Sequence, residues 1–446
     1  MKHWFKKLWP FIIITISCIV FMCVTKRGPQ AIGDSADYWM RGEAIWENGF
    51  SLYHIDGFRG YVFPLLLGTI NKVGGIWGWK IFKSVIYGIL FGILVPDIFN
   101  ADSSVRSGIK TIFVAFIWTS FYWGLLSYAL SDLLALTICV LSIWLEIKSQ
   151  DKFGWRRACL LGLLGISMYW NYNIRSIYMF ADFALVVFHL IRLVKKHMSW
   201  GKSIVDYICM TVGMLLAAIP QICMNWRDRN IFSAALPTGK LMFQQIVWGI
   251  TYQRYDTWGG STAIHEPQVV FVDSVGKALF EKDGISELTD WGQFITFMIR
   301  HFVEMAGIYA RHVINMLFPC WPEQIVLDFN NNKFIIGIIA YSLLFGFGLV
   351  IVWNCIEKYK YVVVLLPAVI PALVIIPGAV EARFFVAVWL YIICTLGYNT
   401  NWKKVISIFQ KNVIKTLLFY VLCAVVMFSF WSQLLASEAS VTITMW

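Results

Sequence analysis

The stretch Gly33-Asp34-Ser35-Ala36-Asp37-Tyr38-Trp39 places two carboxylates just beyond a run of membrane length, Leu8 to Val24. Acidic side chains at a membrane surface are costly to strip of water, so a pair of them there calls for a reason. One reason is ordinary: Asp34 starts and caps a helix that carries Tyr38 and Glu43. The other is chemical, because a carboxylate fixed at that surface can take the proton of an attacking hydroxyl. Three further turns carry groups of the same kind. Asp132 ends Ser127-Tyr128-Ala129-Leu130-Ser131-Asp132, Arg175 follows Asn171 and Asn173, and Glu381 and Arg383 stand in Gly378-Ala379-Val380-Glu381-Ala382-Arg383-Phe384. Each has a local explanation, Asp132 with Ser131 as a helix start and Glu381 with Arg383 as an interfacial pair. Their shared side matters more. Carboxylates and guanidinium groups on one membrane face point to a polar cavity opening outward.

The elements that must position these groups are membrane helices. The chain has 446 residues, of which 59% are hydrophobic and only 14% charged. Its mean hydropathy is +0.66. A soluble protein of this length has no core large enough to hide so much apolar surface. The net charge of +11 would suggest nucleic acid in a soluble protein. Here the positive charge lies mainly in short loops between apolar runs, where it sets topology, and nucleic acid is not an expected partner.

A pass along the chain gives about eleven candidate spans, at residues 8–24, 79–98, 109–126, 132–147, 159–173, 176–193, 204–223, 333–353, 361–376, 383–398 and 415–434. The first follows Lys2, Lys6 and Lys7 like the opening of a signal peptide. No small-residue cleavage site follows it, so it reads as a retained helix. With the N-terminus inside, the loops carrying Arg106 and Lys110, Lys148 to Arg157, Arg192 to Lys202, Lys358 and Lys360, and Lys403 to Lys415 all fall inside. One missed or extra span would reverse every loop beyond it. The expected fold is therefore all-α: a single polytopic helical bundle over 1–446, multi-pass in a plasma membrane, with its N-terminus cytoplasmic.

Two outer regions remain, 25–78 and 224–332. In the first, Tyr61 to Ile76 is apolar but short and Gly-rich, and is expected as an interfacial or partly re-entrant helix. In the second, Phe294 to Leu317 resembles a span until Arg300, His301, Glu304, Arg311 and His312 are counted. Such a polar stripe suits the interface better than the bilayer centre. Trp39, Trp46, Tyr53, Trp248, Tyr252, Tyr255 and Trp258 lie in these regions, as interface anchors or as stacking partners for sugar rings. Of the ten cysteines, Cys320 alone is clearly in an outer region, so no disulfide framework is implied. There is no CxxC, HExxH, P-loop or GxGxxG after a strand, which weighs against metal-dependent hydrolysis and nucleotide-driven transport.

Asp34-Ser35-Ala36-Asp37-Tyr38 after the first span resembles the signature of GT-C glycosyltransferases that use polyprenyl-phosphate sugars. Protein O-mannosyltransferases and lipid A aminoarabinose transferases belong to this group. Its members place an acid four positions before a Tyr in the first outer loop, often followed directly by Glu. Asp34 matches that acid and Ser35 stands where the Glu is usual, with Asp37 a possible substitute. Arg59-Gly60-Tyr61-Val62-Phe63-Pro64 resembles the basic-then-Pro start of the following helix, although one Pro is present and Arg59 lies five residues before it. Ser131-Asp132-Leu133-Leu134-Ala135 resembles the second outer acidic turn, and Gly162 to Arg175 the Gly-rich helix ending in Arg. Ala218-Ile219-Pro220-Gln221-Ile222 to Asn225 resembles the exit from the seventh span, and Glu381-Ala382-Arg383-Phe384 the Arg-aromatic start of a late span. The order along the chain is right and each motif is loose.

The resemblance implies a hexosyl- or pentosyltransferase that moves a sugar from a polyprenyl-phosphate carrier to a hydroxyl of a glycan, lipid or protein, with inversion. Asp34 is then the expected general base and Asp37 the second choice. Arg59, Arg175 and Arg383 are expected on the lipid phosphate, because a guanidinium holds two phosphate oxygens at once. Lys240 and Arg254 are alternatives, and Asp132 and Glu381 complete the expected substrate-binding set. No cofactor is expected. Convergence of Asp34, Asp37 and Asp132 would instead suit Mg²⁺ or Mn²⁺. A bacterial plasma membrane and cell-envelope or surface-polysaccharide glycosylation are the expected setting, and the lack of an Asn-x-Ser/Thr sequon is compatible with it.

The competing expectation is a transporter or flippase of lipid-linked saccharides, and a third is a structural subunit of a polysaccharide assembly complex. Transporters often show internal repeats and polar residues on both sides of the midplane. No repeat is visible here. Asp182 and Asp206, inside apolar runs, are the residues that favour the transporter.

Overall fold

The computed structural model describes residues 2–25, 34–48, 60–100, 104–195, 200–236, 241–256, 267–285, 287–319 and 333–442. The chain forms two compact units. Unit 1 holds Met1–Thr119, Leu125–Pro237 and Lys360–Pro371, and unit 2 holds Ser120–Gly124, Thr238–Tyr359 and Ala372–Trp446.

Unit 1 is built from α1 (Lys2–Val24), α2 (Asp34–Glu47), α3 (Val62–Ile89), α4 (Val95–Ile98), α5 (Val105–Tyr122), α6 (Gly124–Ser127), α7 (Asp132–Ser149), α8 (Gly154–Ile174), α9 (Met179–Lys195) and α10 (Trp200–Arg229). A π-helical turn, Leu90–Leu94, joins α3 to α4. Helices α7 to α10 form an up-and-down layer in which α8 packs on both α7 and α10, as short connections between apolar helices require.

The expected interfacial piece 61–76 and the expected span 79–98 form one helix that changes direction at Gly75, whose φ of 51° only glycine adopts easily. Val62 N–H donates to Asn173 Oδ1 at 2.9 Å, and Lys83 Nζ donates to the carbonyls of Leu125 and Leu130 at 3.0 Å. Asn173 and the 125–130 turn share one end of the unit. A straight helix from 62 to 83 would run about 30 Å. The first arm of α3 therefore lies along that end instead of crossing the unit.

Unit 2 contains α11 (Leu241–Thr251), β1 (Tyr252–Asp256), β2 (Pro267–Val272), α12 (Ser274–Asp283), α13 (Trp291–Arg300), α14 (Phe302–Met316), α15 (Lys333–Val352), α16 (Tyr359–Val364), α17 (Leu366–Val374), α18 (Val386–Tyr398), α19 (Trp402–Lys411), α20 (Val413–Ala436) and β3 (Glu438–Thr442). Parts of α16 and α17 fall in the Lys360–Pro371 segment of unit 1, and the end of α5 with Gly124 of α6 falls in the Ser120–Gly124 segment of unit 2.

The described residues are overwhelmingly helical, as the all-α expectation has it, and three short strands are added to that frame. They form an antiparallel sheet in the order β1-β2-β3, with Tyr255 opposite Val270 and Val270 opposite Ala439. Val270 and Phe271 of the β-branched and aromatic run Val269-Val270-Phe271-Val272 are buried.

Two more expectations change. The Phe294–Leu317 helix breaks at His301 (φ −115°, ψ 35°) into α13 and α14. The break lets His301 Nε2 and Arg300 reach Asp283 at 2.9 and 3.0 Å. First His301 and then Arg300 hold the Asp283 carboxyl below the usual carboxylate range. The expected 361–376 span is likewise interrupted at Leu365, between α16 and α17.

Each of the eleven expected segments is largely helical, with non-helical turns at Trp123 in 109–126 and at Leu365 and 375–376 in 361–376. Among the described residues, five helices are long and apolar enough to cross a membrane: Val62–Ile98, Ser176–Val194, Ser203–Arg229, Phe334–Val352 and Val413–Ala436. Leu8–Val24 and Ala382–Tyr398 are shorter apolar helices. Exposed Leu418, Phe419, Leu422 and Val425 give α20 an apolar outer face, as a lipid-facing helix requires.

Candidate active site

The described polar groups of the first outer turns collect at one end of unit 1. Arg175, at the C-terminal cap of α8, donates through Nη1 to Asp132 Oδ1 at the first residue of α7. Ser131 does not cap α7. Its hydroxyl instead donates to Tyr38 Oη at 3.2 Å, while Ser35 Oγ accepts the Ala129 N–H at 2.9 Å. The start of α2 is thus stitched to the turn before Asp132. One turn further along α2, Arg41 Nε holds Asp37 Oδ1 at 2.6 Å.

Lys83 completes the cluster. It is 1% exposed, donates to two carbonyls of the same turn, lies 4.8 Å from the Trp79 ring centre and feels the Asp132 charge.

The scaffold beneath explains the placement. Glycines let α2 lie directly on the first arm of α3: a Cβ at Gly68 would sit 2.1 Å from the Gly42 carbonyl oxygen. Asn71 Nδ2 donates to Glu43 Oε1 at 3.0 Å and Trp46 Nε1 to Thr69 Oγ1 at 3.2 Å, fixing the register of the two helices. Below them Ile45, Tyr61, Tyr169, Ala217, Ala218 and Met224 form an apolar cluster. Asn173 links this layer to α10 through Gln221 at 2.9 Å.

Unit 2 holds the other expected residues. Glu381 and Arg383 form a buried pair, with Arg383 Nη2 to Glu381 Oε1 and Nε to Oε2 both at 2.7 Å. Tyr255 N–H donates to the Val380 carbonyl at 2.8 Å, which fastens β1 to the segment leading into that pair. Arg254 is 1% exposed and donates to the carbonyls of Phe318 at 2.8 Å and Asn315 at 3.3 Å. Those contacts make it a clamp on the end of α14. Trp248 and Tyr255, two of the expected sugar-stacking aromatics, stack on each other at 5.8 Å.

The side chain of Asp34, and Arg59 and Lys240 entirely, lie outside the described residues. The backbone of Asp34 is the first residue of α2. A three-aspartate metal site would need that side chain. Asp206 pairs with Arg157 through Nε at 2.8 Å and Nη2 at 2.5 Å, at the opposite end of α7–α10. Asp182 is buried.

Sequence reasoning missed Arg41 and Lys83. Arg41 is signalled by its i, i+4 spacing from Asp37. Lys83 is signalled as an ionisable residue inside an apolar run. The chain matches no protein-family model, no curated protein and no solved structure.

Proposed function

We propose that this protein is an integral-membrane, inverting glycosyltransferase that moves a sugar from a polyprenyl-phosphate carrier to an acceptor hydroxyl on the outer face of the membrane. The observation that carries this reading is the gathering of Asp37, Arg41, Lys83, Asp132 and Arg175 at one end of unit 1, around the Tyr38–Ser131 contact.

The reaction asks little beyond what such a site holds. The acceptor oxygen bonds to the anomeric carbon from the face opposite the phosphate. Its proton passes to a carboxylate, and the bond from that carbon to the phosphate oxygen breaks with the electron pair leaving on the phosphate. Asp34 is the proposed base and Asp37 the alternative, which Arg41 orients. The departing phosphate gathers negative charge and needs cations fixed beforehand. Arg175, 17% exposed and anchored by Asp132, is the described residue best suited to that task, and Arg59 joins it in the proposal. Glu381 and Arg383 remain further proposed substrate-binding residues.

The proposed eleven-crossing topology is compatible with an outward-facing site. Ser35 with Ala129, Asp132 with Arg175, and β2 with β3 each join segments that must lie on one side of a membrane, and the eleven-span order puts an even number of crossings between every such pair.

The test is transfer of radiolabelled sugar from a panel of polyprenyl-phosphate donors in membranes carrying wild type, Asp34→Asn or Asp37→Asn at matched expression. Loss of product with Asp34→Asn, with donor still bound, is the expected result. Unchanged transfer in both variants overturns the mechanism. A second reading, a flippase of lipid-linked saccharides, is favoured by the buried Asp182 inside a spanning helix. It predicts movement of carrier lipid between leaflets without transfer.

A further inference from the structure

Helix α19 takes no part in the proposed transfer reaction, and none of its residues is buried. At about 100° per residue, Trp402, Val405, Ile406, Ile408 and Phe409 fall on one arc. Lys403, Lys404, Ser407, Gln410 and Lys411 fall on the opposite arc, with no apolar residue among them. Trp402 and Ile406 are 47% and 53% exposed. An apolar arc so cleanly separated, and so little covered by the rest of the chain, calls for a partner.

The surroundings of α19 say what that partner is. α15 ends at Val352 and α18 at Tyr398, and the segments that follow them are laced together. Glu357 N–H donates to the Asn399 carbonyl and Asn401 N–H to that of Cys355, both at 2.9 Å, while Ile356 bridges to Thr400. The Asn399 side chain accepts the Lys358 N–H at 3.0 Å and donates to the Lys358 carbonyl at 2.9 Å. α19 leads from this lacing to the start of α20, with a break at Asn412. α15 and α20 are both of membrane length, so the end of one and the start of the other mark a membrane boundary. α19 joins the two and lies along that boundary. Its seat is fixed. Trp402 Nε1 donates to the Leu396 carbonyl at 3.1 Å, Lys404 Nζ to that of Asn354 at 3.0 Å, and the Asn401 side chain caps the helix.

The charge on this boundary is of one sign. Between Glu381 and Glu438 the sequence holds no Asp or Glu. Lys403, Lys411 and Lys415 are exposed, and Lys358 on the laced loop is exposed beside Glu357, the single acid there. We propose that α19 is a docking surface for anionic phospholipid, with its apolar arc among the acyl chains and Lys403, Lys411 and Lys415 on the headgroup phosphates. Long lysine stems let the ammonium groups reach the headgroups while the helix body lies deeper. The apolar arc alone would seat the helix on any lipid, and the lysines make the seat depend on headgroup charge. The loop that carries them is the one expected on the cytoplasmic side, where the leaflet is anionic. This surface is independent of the carboxylate chemistry proposed in unit 1.

The experiment follows hydrogen exchange across residues 402–411 of the full chain in nanodiscs. Discs of phosphatidylcholine alone are compared with discs that also contain phosphatidylglycerol. Wild-type exchange is expected to slow at least about tenfold in the anionic discs, and added salt should remove the slowing. Lys403→Gln/Lys411→Gln/Lys415→Gln removes three charges and keeps good helix formers in place, so its exchange should be the same in both discs. The corresponding triple Arg variant should behave as wild type. Equal wild-type exchange in the two discs, a slowing that salt leaves unchanged, or one that persists in the triple Gln variant overturns the proposal.

Discussion

Asp132 and Arg175, 43 positions apart, form an ion pair that ties the start of α7 to the end of α8. The Asp132 side chain is 4% exposed and that of Arg175 is 17%, so neither charge is left to water if the other is removed. Asp132→Asn is expected to destabilise the protein by about 3–5 kcal/mol, the cost of breaking one side of a buried pair. Arg175→Lys keeps the charge and is expected to cost less. Denaturant unfolding in detergent, read by tryptophan fluorescence, checks both, and sugar transfer should fall in the same order.

Lys83→Met keeps the length of the side chain and removes its donors. The carbonyls of Leu125 and Leu130 then lose a partner inside the protein. A loss of about 1–3 kcal/mol is expected. Because Ala129 N–H is bonded to Ser35 in the same turn, hydrogen exchange at Ala129 should accelerate with it. Unchanged exchange there would show that the turn does not depend on the lysine.

Gly68→Ala puts a methyl group where the Gly42 carbonyl already is. Overpacking of this kind costs about 1–3 kcal/mol. The functional loss should be larger than the loss of stability, since α2 carries both Asp34 and Asp37. Cross-linking of Glu43→Cys with Asn71→Cys, efficient in an otherwise wild-type background, should drop when Gly68→Ala is added.

Asp283 gives a pH signature in unit 2. His301 and Arg300 depress its folded pKa below the unfolded value of about 3.9. Its contribution to stability is therefore complete above that value and lost as pH falls through the lower folded pKa. Hydrogen exchange across α12 and α13 should rise below about pH 4 in wild type. Asp283→Asn should show raised exchange already at neutral pH and little further change on acidification.

The helices were legible because apolar runs of membrane length have few alternatives, and each of the eleven segments read from the sequence is largely helical. Residue type and loop position also marked Asp37, Asp132 and Arg175, although their partners could not be read. Arg41 and Lys83 were not singled out, because the bond of Arg41 to Asp37 and that of Lys83 to the 125–130 turn depend on how the chain folds. The sheet was hidden for a different reason. Its strands are short, and β3 is separated from β2 by four of the expected spans, so no local pattern signals the pairing. His301 looked like part of a continuous polar stripe, whereas its bond to Asp283 accompanies a break in the helix.

The strand order also has a consequence for biosynthesis. β2 lies between β1 and β3, and its second neighbour is translated only after α20. While the chain is still on the ribosome, residues 267–272 must wait with one hydrogen-bonding edge open. A ribosome stalled within α20 would leave a unit whose helices had been made but whose sheet was unfinished, and that open edge is where a quality-control factor would find something to grip.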